Sequence, residues 1–168
     1  MKPVDVVIED PRWESIDIEK LADQAASATL ERLGLEPSIC EIACLVCDDA
    51  RIAVLNADFR QKSQPTNVLS WPSEDRAAMA AGEMPQPPAP DPGGLVELGD
   101  IALAYETCLS ESVDFGISLT DHTTHLIVHG TLHLLGFDHI READACLMED
   151  LEAEILGNLG LKNPYDRT

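Results

Sequence analysis

Three histidines, His129, His133 and His139, have the residue type and spacing in this chain that can do chemistry. They stand in His129-Gly130-Thr131-Leu132-His133-Leu134-Leu135-Gly136-Phe137-Asp138-His139. On an α-helix the first two, four residues apart, stack on one face within reach of a single ion. Gly136 then ends the apolar run. Glycine takes the left-handed conformation that closes a helix, so the chain can fold back and carry His139 toward the same point. Three neutral imidazole nitrogens with a vacant fourth position are the donor set of a catalytic zinc site, whereas a structural site is usually closed by four ligands and rich in cysteine. The expectation is one Zn2+ per chain, held by His129, His133 and His139. All five histidines fall between 122 and 139, a clustering that argues against a coincidental pair. His122 and His125 drift around the helix, one and two turns before the site, and read as a capping or core hydrogen bond, or at most as a partner holding a ligand from behind.

The elements that must position this trio follow from periodicity. Val4 to Glu9 alternates and is β-branched, which predicts a first strand ended by Pro11. Asp17 is placed to cap a helix reaching Leu33, with Leu21, Ala25 and Ala28 inward and Gly34 as its stop. Ile39 to Cys47 reads as a buried strand beside the first, and Asp48 or Asp49 caps a helix running through Phe59. Thr66 to Pro72 predicts another strand, and Glu97 to Ala104 a further one in which Gly99 permits a bulge or a close approach. Tyr105 to Phe115 is a predicted helix; Ser118 or Thr120 caps the histidine helix, which is apolar nearly all round and therefore central. Glu142 to Leu159 closes the chain as a helix with Leu147, Leu151 and Ile155 inward and its acids on a solvated face. With no regular βαβ repeat, the fold class is α+β: a small mixed sheet packed against helices, the metal-binding helix buried at its centre.

The chain has 168 residues and 45% hydrophobic content, enough for one domain with a core. Residues 1–168 are therefore read as a single domain. Residues 72–95 interrupt it, holding six of the eleven prolines and few large apolar groups, and read as a mobile, solvated insertion with at most a helical turn around Glu74 to Ala81. No long apolar run indicates a membrane span or signal peptide, so a soluble, cytoplasmic protein is expected. Five cysteines point to reduced thiols. Cys44 and Cys47 have a Cys-x-x-Cys spacing, but in an extended strand residues three apart face opposite ways and cannot share an ion or a bridge.

The net charge of −20 repels polyanions unless positive charge is gathered locally. Residues 51–76 carry Arg51, Arg60, Lys62 and Arg76 against Asp58, Glu74 and Asp75, while residues 100–160 set twelve acids against Arg141 alone. The middle is the anion-facing strip.

The histidine stretch, with Leu55-Asn56-x-x-Phe59-Arg60, Thr66-Asn67-Val68-Leu69-Ser70 and Leu98-Gly99-Asp100-Ile101 in matching order, resembles the YbeY family of bacterial endoribonucleases. The likeness runs from about residue 40 to 157, with Trp71 where phenylalanine is usual, Phe137 where tyrosine is usual, and a longer proline-rich insertion. The resemblance implies a metal-dependent, single-strand-specific endoribonuclease acting in ribosomal RNA maturation and ribosome quality control. Its partners would be single-stranded RNA, ribosomal RNA above all, and ribosomal proteins or assembly factors. It also implies zinc on His129, His133 and His139 and a requirement for Arg60 in catalysis.

Physical chemistry meets that implication part-way. Zinc on three imidazoles lowers the pKa of its water from about 16 toward 7 and polarises a phosphoryl oxygen. A guanidinium at Arg60 forks onto phosphate oxygens and offsets the charge of a pentacoordinate transition state; the alternative is a helix C-terminal charge in a surface ion pair. Asp138 either orients a ligand imidazole or caps a turn. No residue declares itself the general base, and the attacking group, water or the RNA 2′-hydroxyl, stays open. Two rivals stand beside this reading. The spacing matches zinc metalloproteases, yet those need a glutamate as base where this chain has Gly130. The other is a noncatalytic ribosome-assembly factor with a structural metal, which the negative charge favours and the open coordination position opposes.

Overall fold

The computed structural model describes residues 2–60 and 66–165, without the side chains of Phe59 and Arg60. Four strands form one mixed sheet: β1 (Val4–Ile8), β2 (Cys40–Cys47), β3 (Val68–Pro72) and β4 (Val96–Ala104), in the order β1-β2-β4-β3. β1 and β2 pair in parallel, as do β2 and β4, while β3 runs antiparallel along β4 at the edge. Among the described residues five α-helices accompany the sheet: α1 (Ile18–Arg32), α2 (Asp49–Arg60), α3 (Tyr105–Phe115), α4 (Leu119–Leu134) and α5 (Glu142–Asn158). The α+β reading holds.

α4 is the central element, as its nearly all-round apolar character requires. It lies on β3 and β4 beside α1, with α3 against its flank and α5 against it and α1. The main core gathers Ile42, Cys44, Leu98 and Ile101 from the sheet, Leu30 from α1, Ile127, Leu132 and Leu134 from α4, and Met148 and Ile155 from α5. Gly130 makes the docking of α4 close: a Cβ at that position would sit 3.2 Å from Cδ1 of Ile101 on β4. On the opposite face of the sheet, Ile52 of α2 joins Cys47, Leu69 and Ala102 in a smaller cluster. Cys44 and Cys47 thus lie on opposite faces, and burial pushes both thiols up to about 12.

Local signals played out with small differences. Ser118 caps α4 by accepting the Asp121 N–H at 3.0 Å. Asp48 caps α2 through the Arg51 N–H, while Asp49 reaches across to the Thr107 N–H and hydroxyl at the start of α3. Asp17 stands at the N-cap of α1 with a left-handed backbone and makes no side-chain cap bond; a 3₁₀ turn, Pro11–Ile16, leads into it. The inner stripe of α1 is Ile18, Leu21, Ala22 and Ala25, with Ala28 only partly buried. The expected bulge occurs where Ile42 pairs with Gly99, leaving Leu98 as the extra residue.

The sequence allowed at most a helical turn around residues 74–81, and none forms there. The proline-rich stretch is largely exposed, yet its root is fastened. The Arg76 guanidinium donates to the carbonyls of Leu134 (2.9 Å), Glu97 (3.0 Å) and Leu98 (3.3 Å). The Gly82 N–H donates to Asp144 at 2.8 Å, and Arg141 donates to the Ala78 carbonyl at 2.9 Å. Among the described residues, no helix is long and apolar enough to cross a membrane.

Candidate metal centre

His129 and His133 project from one face of α4, one turn apart, and His139 returns to them from the turn that follows. That return depends on Gly136, whose φ of +102° is a conformation glycine adopts without strain. The Gly136 N–H donates to the His133 carbonyl and the Phe137 N–H to the Leu132 carbonyl, a paired closure of the helix end that also buries Phe137 against the core. A side chain at Gly136 would collide with the backbone of Arg76, so the root of the insertion and this turn are fitted to each other. Asp138 accepts the His139 N–H at 2.7 Å, which makes it a cap of the turn. One ring nitrogen from each of His129, His133 and His139 lies within 4.8 Å of the others, the one such trio of metal donors among the described residues.

The hydrogen bonds behind these rings decide which nitrogens face inward. Nδ1–H of His133 donates to the Phe137 carbonyl at 2.9 Å, and Nδ1–H of His129 donates to Oε1 of Glu152 at 2.8 Å. A neutral imidazole protonated on Nδ1 carries its lone pair on Nε2. The two Nε2 atoms nevertheless face each other at 3.0 Å. Two lone pairs at that separation repel unless a shared proton or a metal ion lies between them, and with the His139 nitrogen alongside the donor set fits a metal ion. Burial, and after it the neighbouring His129 and His139, lowers the His133 imidazole from 6.5 to about 4, leaving the ring neutral and able to ligate near neutral pH.

Glu152 is the residue that sequence reasoning missed. The acids of α5 were expected to face solvent; this one is completely buried. Its Oε1 accepts from His129 and also from Nε2 of His125 at 3.0 Å, and its Oε2 accepts from the Tyr165 hydroxyl at 2.7 Å. Burial alone would raise the carboxyl, but these donors outweigh it and bring it down to about 2. The signal was present as position: Glu152 follows Met148 by four residues on the buried stripe, facing a helix that holds four of the chain's five histidines. Met148 takes the inward place expected of Leu147, which is only partly buried. His125 is thus a partner of a ligand's support, and His122 is a core hydrogen bond: its Nε2 meets Glu111 of α3 at 2.9 Å, and Glu111 also accepts from Asn67 at 2.9 Å.

Comparison with known proteins agrees with this geometry. Residues 7–160 match the family model described as "Endoribonuclease YbeY". The chain belongs to the YbeY endoribonuclease family. An "Endoribonuclease YbeY" of Ruegeria pomeroyi is 59% identical over 162 residues, 96% of this chain and 97% of that protein. One from Cereibacter sphaeroides is 54% identical over 167 residues, 98% of this chain and 100% of that protein. The solution structure of TM1509 from Thermotoga maritima shares the fold, with a TM-score of 0.55 at 16% identity, covering 94% of this chain and 91% of that one.

Several family-like positions have structural work in the frame just described. Asn67 links β3 to α3 through Glu111, and Gly99 carries the bulge beside the Trp71 carbonyl. Arg60 ends α2, but its side chain lies outside the described residues, as does Lys62. The anion-facing strip is narrower than its charge count implies, because Arg51 pairs with Glu9 at 3.2 Å and Arg76 spends its guanidinium on carbonyls.

Proposed function

We propose that this chain is a zinc-dependent, single-strand-specific endoribonuclease of the cytoplasm, acting on ribosomal RNA during its maturation and in ribosome quality control. Its partners are single-stranded RNA together with ribosomal proteins or assembly factors. The whole chain, 1–168, serves as one catalytic domain, with residues 72–95 as an insertion. The observation that supports this most is the pair of imidazole Nε2 atoms 3.0 Å apart with a third histidine nitrogen alongside, in a chain of this family.

His129, His133 and His139 would hold the ion. Zinc bound there supplies a Lewis acid that activates water near neutral pH and polarises a phosphoryl oxygen. The protein's own part is to keep His133 neutral and the rings aimed. The Phe137 carbonyl and Glu152 hold the protons of His133 and His129 on Nδ1. Arg60 is the catalytic guanidinium in this reading, forking onto the phosphate and offsetting charge that develops there. A protease mechanism lacks its base: the position after His129 is a glycine buried against Ile101, with no room for a glutamate.

Elemental analysis of the purified protein tests the metal, with about one zinc per chain expected from a single three-ligand site. The double variant His129→Ala, His133→Ala should contain none; full retention would end the site assignment. Arg60→Glu should keep its zinc and fold and lose cleavage of single-stranded RNA. Undiminished cleavage removes Arg60 from the mechanism, and digestion of casein with RNA left intact would favour the protease.

A further inference from the structure

Three donors from separate parts of the chain converge on the buried carboxylate of Glu152: His125 and His129 from α4 and Tyr165 from beyond α5. We propose that Glu152 is a positioning residue for the metal, holding the tautomer and ring plane of His129 and strengthening its Nε2 as a donor through a buried negative charge. The inference rests on the metal reading above.

A buried carboxylate is costly, and an apolar residue could tie α5 to α4 at no such cost. What an apolar residue could not do is accept the Nδ1–H of His129 and so present the opposite nitrogen to His133. The bracing also runs in one direction. His125 donates from Nε2 to the same oxygen that His129 uses, and among the described residues its buried Nδ1 has no hydrogen-bond partner. Tyr165 fills the other oxygen. With both oxygens engaged, the carboxylate cannot rotate away from His129. His133 receives only a neutral carbonyl at the equivalent nitrogen, so the charged acceptor acts on His129 alone.

The test is zinc affinity of the full chain, stripped of metal and titrated against a chromophoric chelator. Glu152→Gln keeps an oxygen for His129 and an amide for the Tyr165 oxygen while removing the charge. It should weaken zinc binding by about 10–100-fold, the usual cost of losing a ligand's supporting partner. Tyr165→Phe removes a donor from the same carboxylate without touching His129, and should change zinc affinity by less than about threefold, well below that range. Wild-type affinity in Glu152→Gln overturns the proposal, as do equal losses in the two variants, which would mark a purely structural tie. Nitrogen-15 spectra of the zinc-loaded wild type give a second reading that needs no variant to fold: His129 should be protonated on Nδ1 and bound through Nε2. Ligation through Nδ1 overturns the proposal. A wild-type chain that takes up no zinc overturns the metal reading itself, and this inference with it.

Discussion

In the metal-free chain His133 should make folding depend on pH in a window that the structure defines. Its imidazole is lowered from 6.5 to about 4, first by burial and then by His129 and His139. A base depressed in the folded state binds its proton more readily when unfolded, so its contribution is whole above 6.5, falls as pH falls through the window, and levels off below 4. Between pH 7 and pH 5 the unfolded ring becomes almost fully protonated while the folded one stays mostly neutral, which costs about 2 kcal/mol of stability. His133→Asn removes the titrating group and keeps an amide N–H for the Phe137 carbonyl. Urea unfolding of chelator-treated wild type and variant at both pH values isolates the effect: the wild type should lose about 2 kcal/mol more than the variant on acidification. Equal losses would show that the ring is as easily protonated in the folded chain as in the unfolded one, and the argument that it is held ready to ligate would fail. Zinc at a thousandfold excess over its Kd should add about 4 kcal/mol to the wild type at pH 7, by mass action alone.

Three further outcomes follow from other contacts. Gly136→Ala forces a side chain into a left-handed backbone and against the Arg76 main chain, so urea unfolding should show a loss of about 2–3 kcal/mol, with weaker zinc uptake as the His139 turn shifts. Arg76→Ala leaves the Leu134 and Glu97 carbonyls without their charged donor; a stability loss of about 1–3 kcal/mol and faster proteolysis within residues 73–95 are expected, and unchanged proteolysis would deny the fastening. Among the five thiols only Cys146 is exposed, and the buried ones with raised pKa values should resist alkylation, so mass spectrometry of briefly treated native protein should find a single modified cysteine.

The histidine trio could be read before folding because its logic is local. Two residues four apart on a helix, a glycine one turn later and a histidine just beyond it determine a geometry through backbone rules alone, and the structure closes the helix at Gly136 as those rules require. The strand alternation of β1 and the capping at Ser118 are likewise short-range. The insertion was half legible: its composition gave solvation, but Arg76 seizing the Leu134 carbonyl at the end of α4 is a contact across 58 residues that no local pattern encodes. The same distance hid the loss of Arg76 from the anion-facing strip, since a charge count treats every arginine as free.

Glu152 escaped for a deeper reason. On a helix carrying six acidic residues, the economical assignment sends each acid to water, and for Glu142, Asp150 and Glu154 that is correct. Burial of one carboxylate becomes favourable only when donors from another element are already in place to receive it. Those donors are His125 and His129, on a helix that precedes it by more than twenty residues, and Tyr165, which follows it. Each half of the pairing looks wrong alone: a charged residue on a buried stripe, and a histidine on an apolar helix without a role in binding metal. Taken as a pair they explain each other, because the acid supplies the acceptor that fixes the imidazole proton and the imidazoles supply the donors that keep the acid ionised. A sequence search for such sites should therefore look for the mismatch on both helices at once, an acid on one inward face and surplus histidines on its neighbour's.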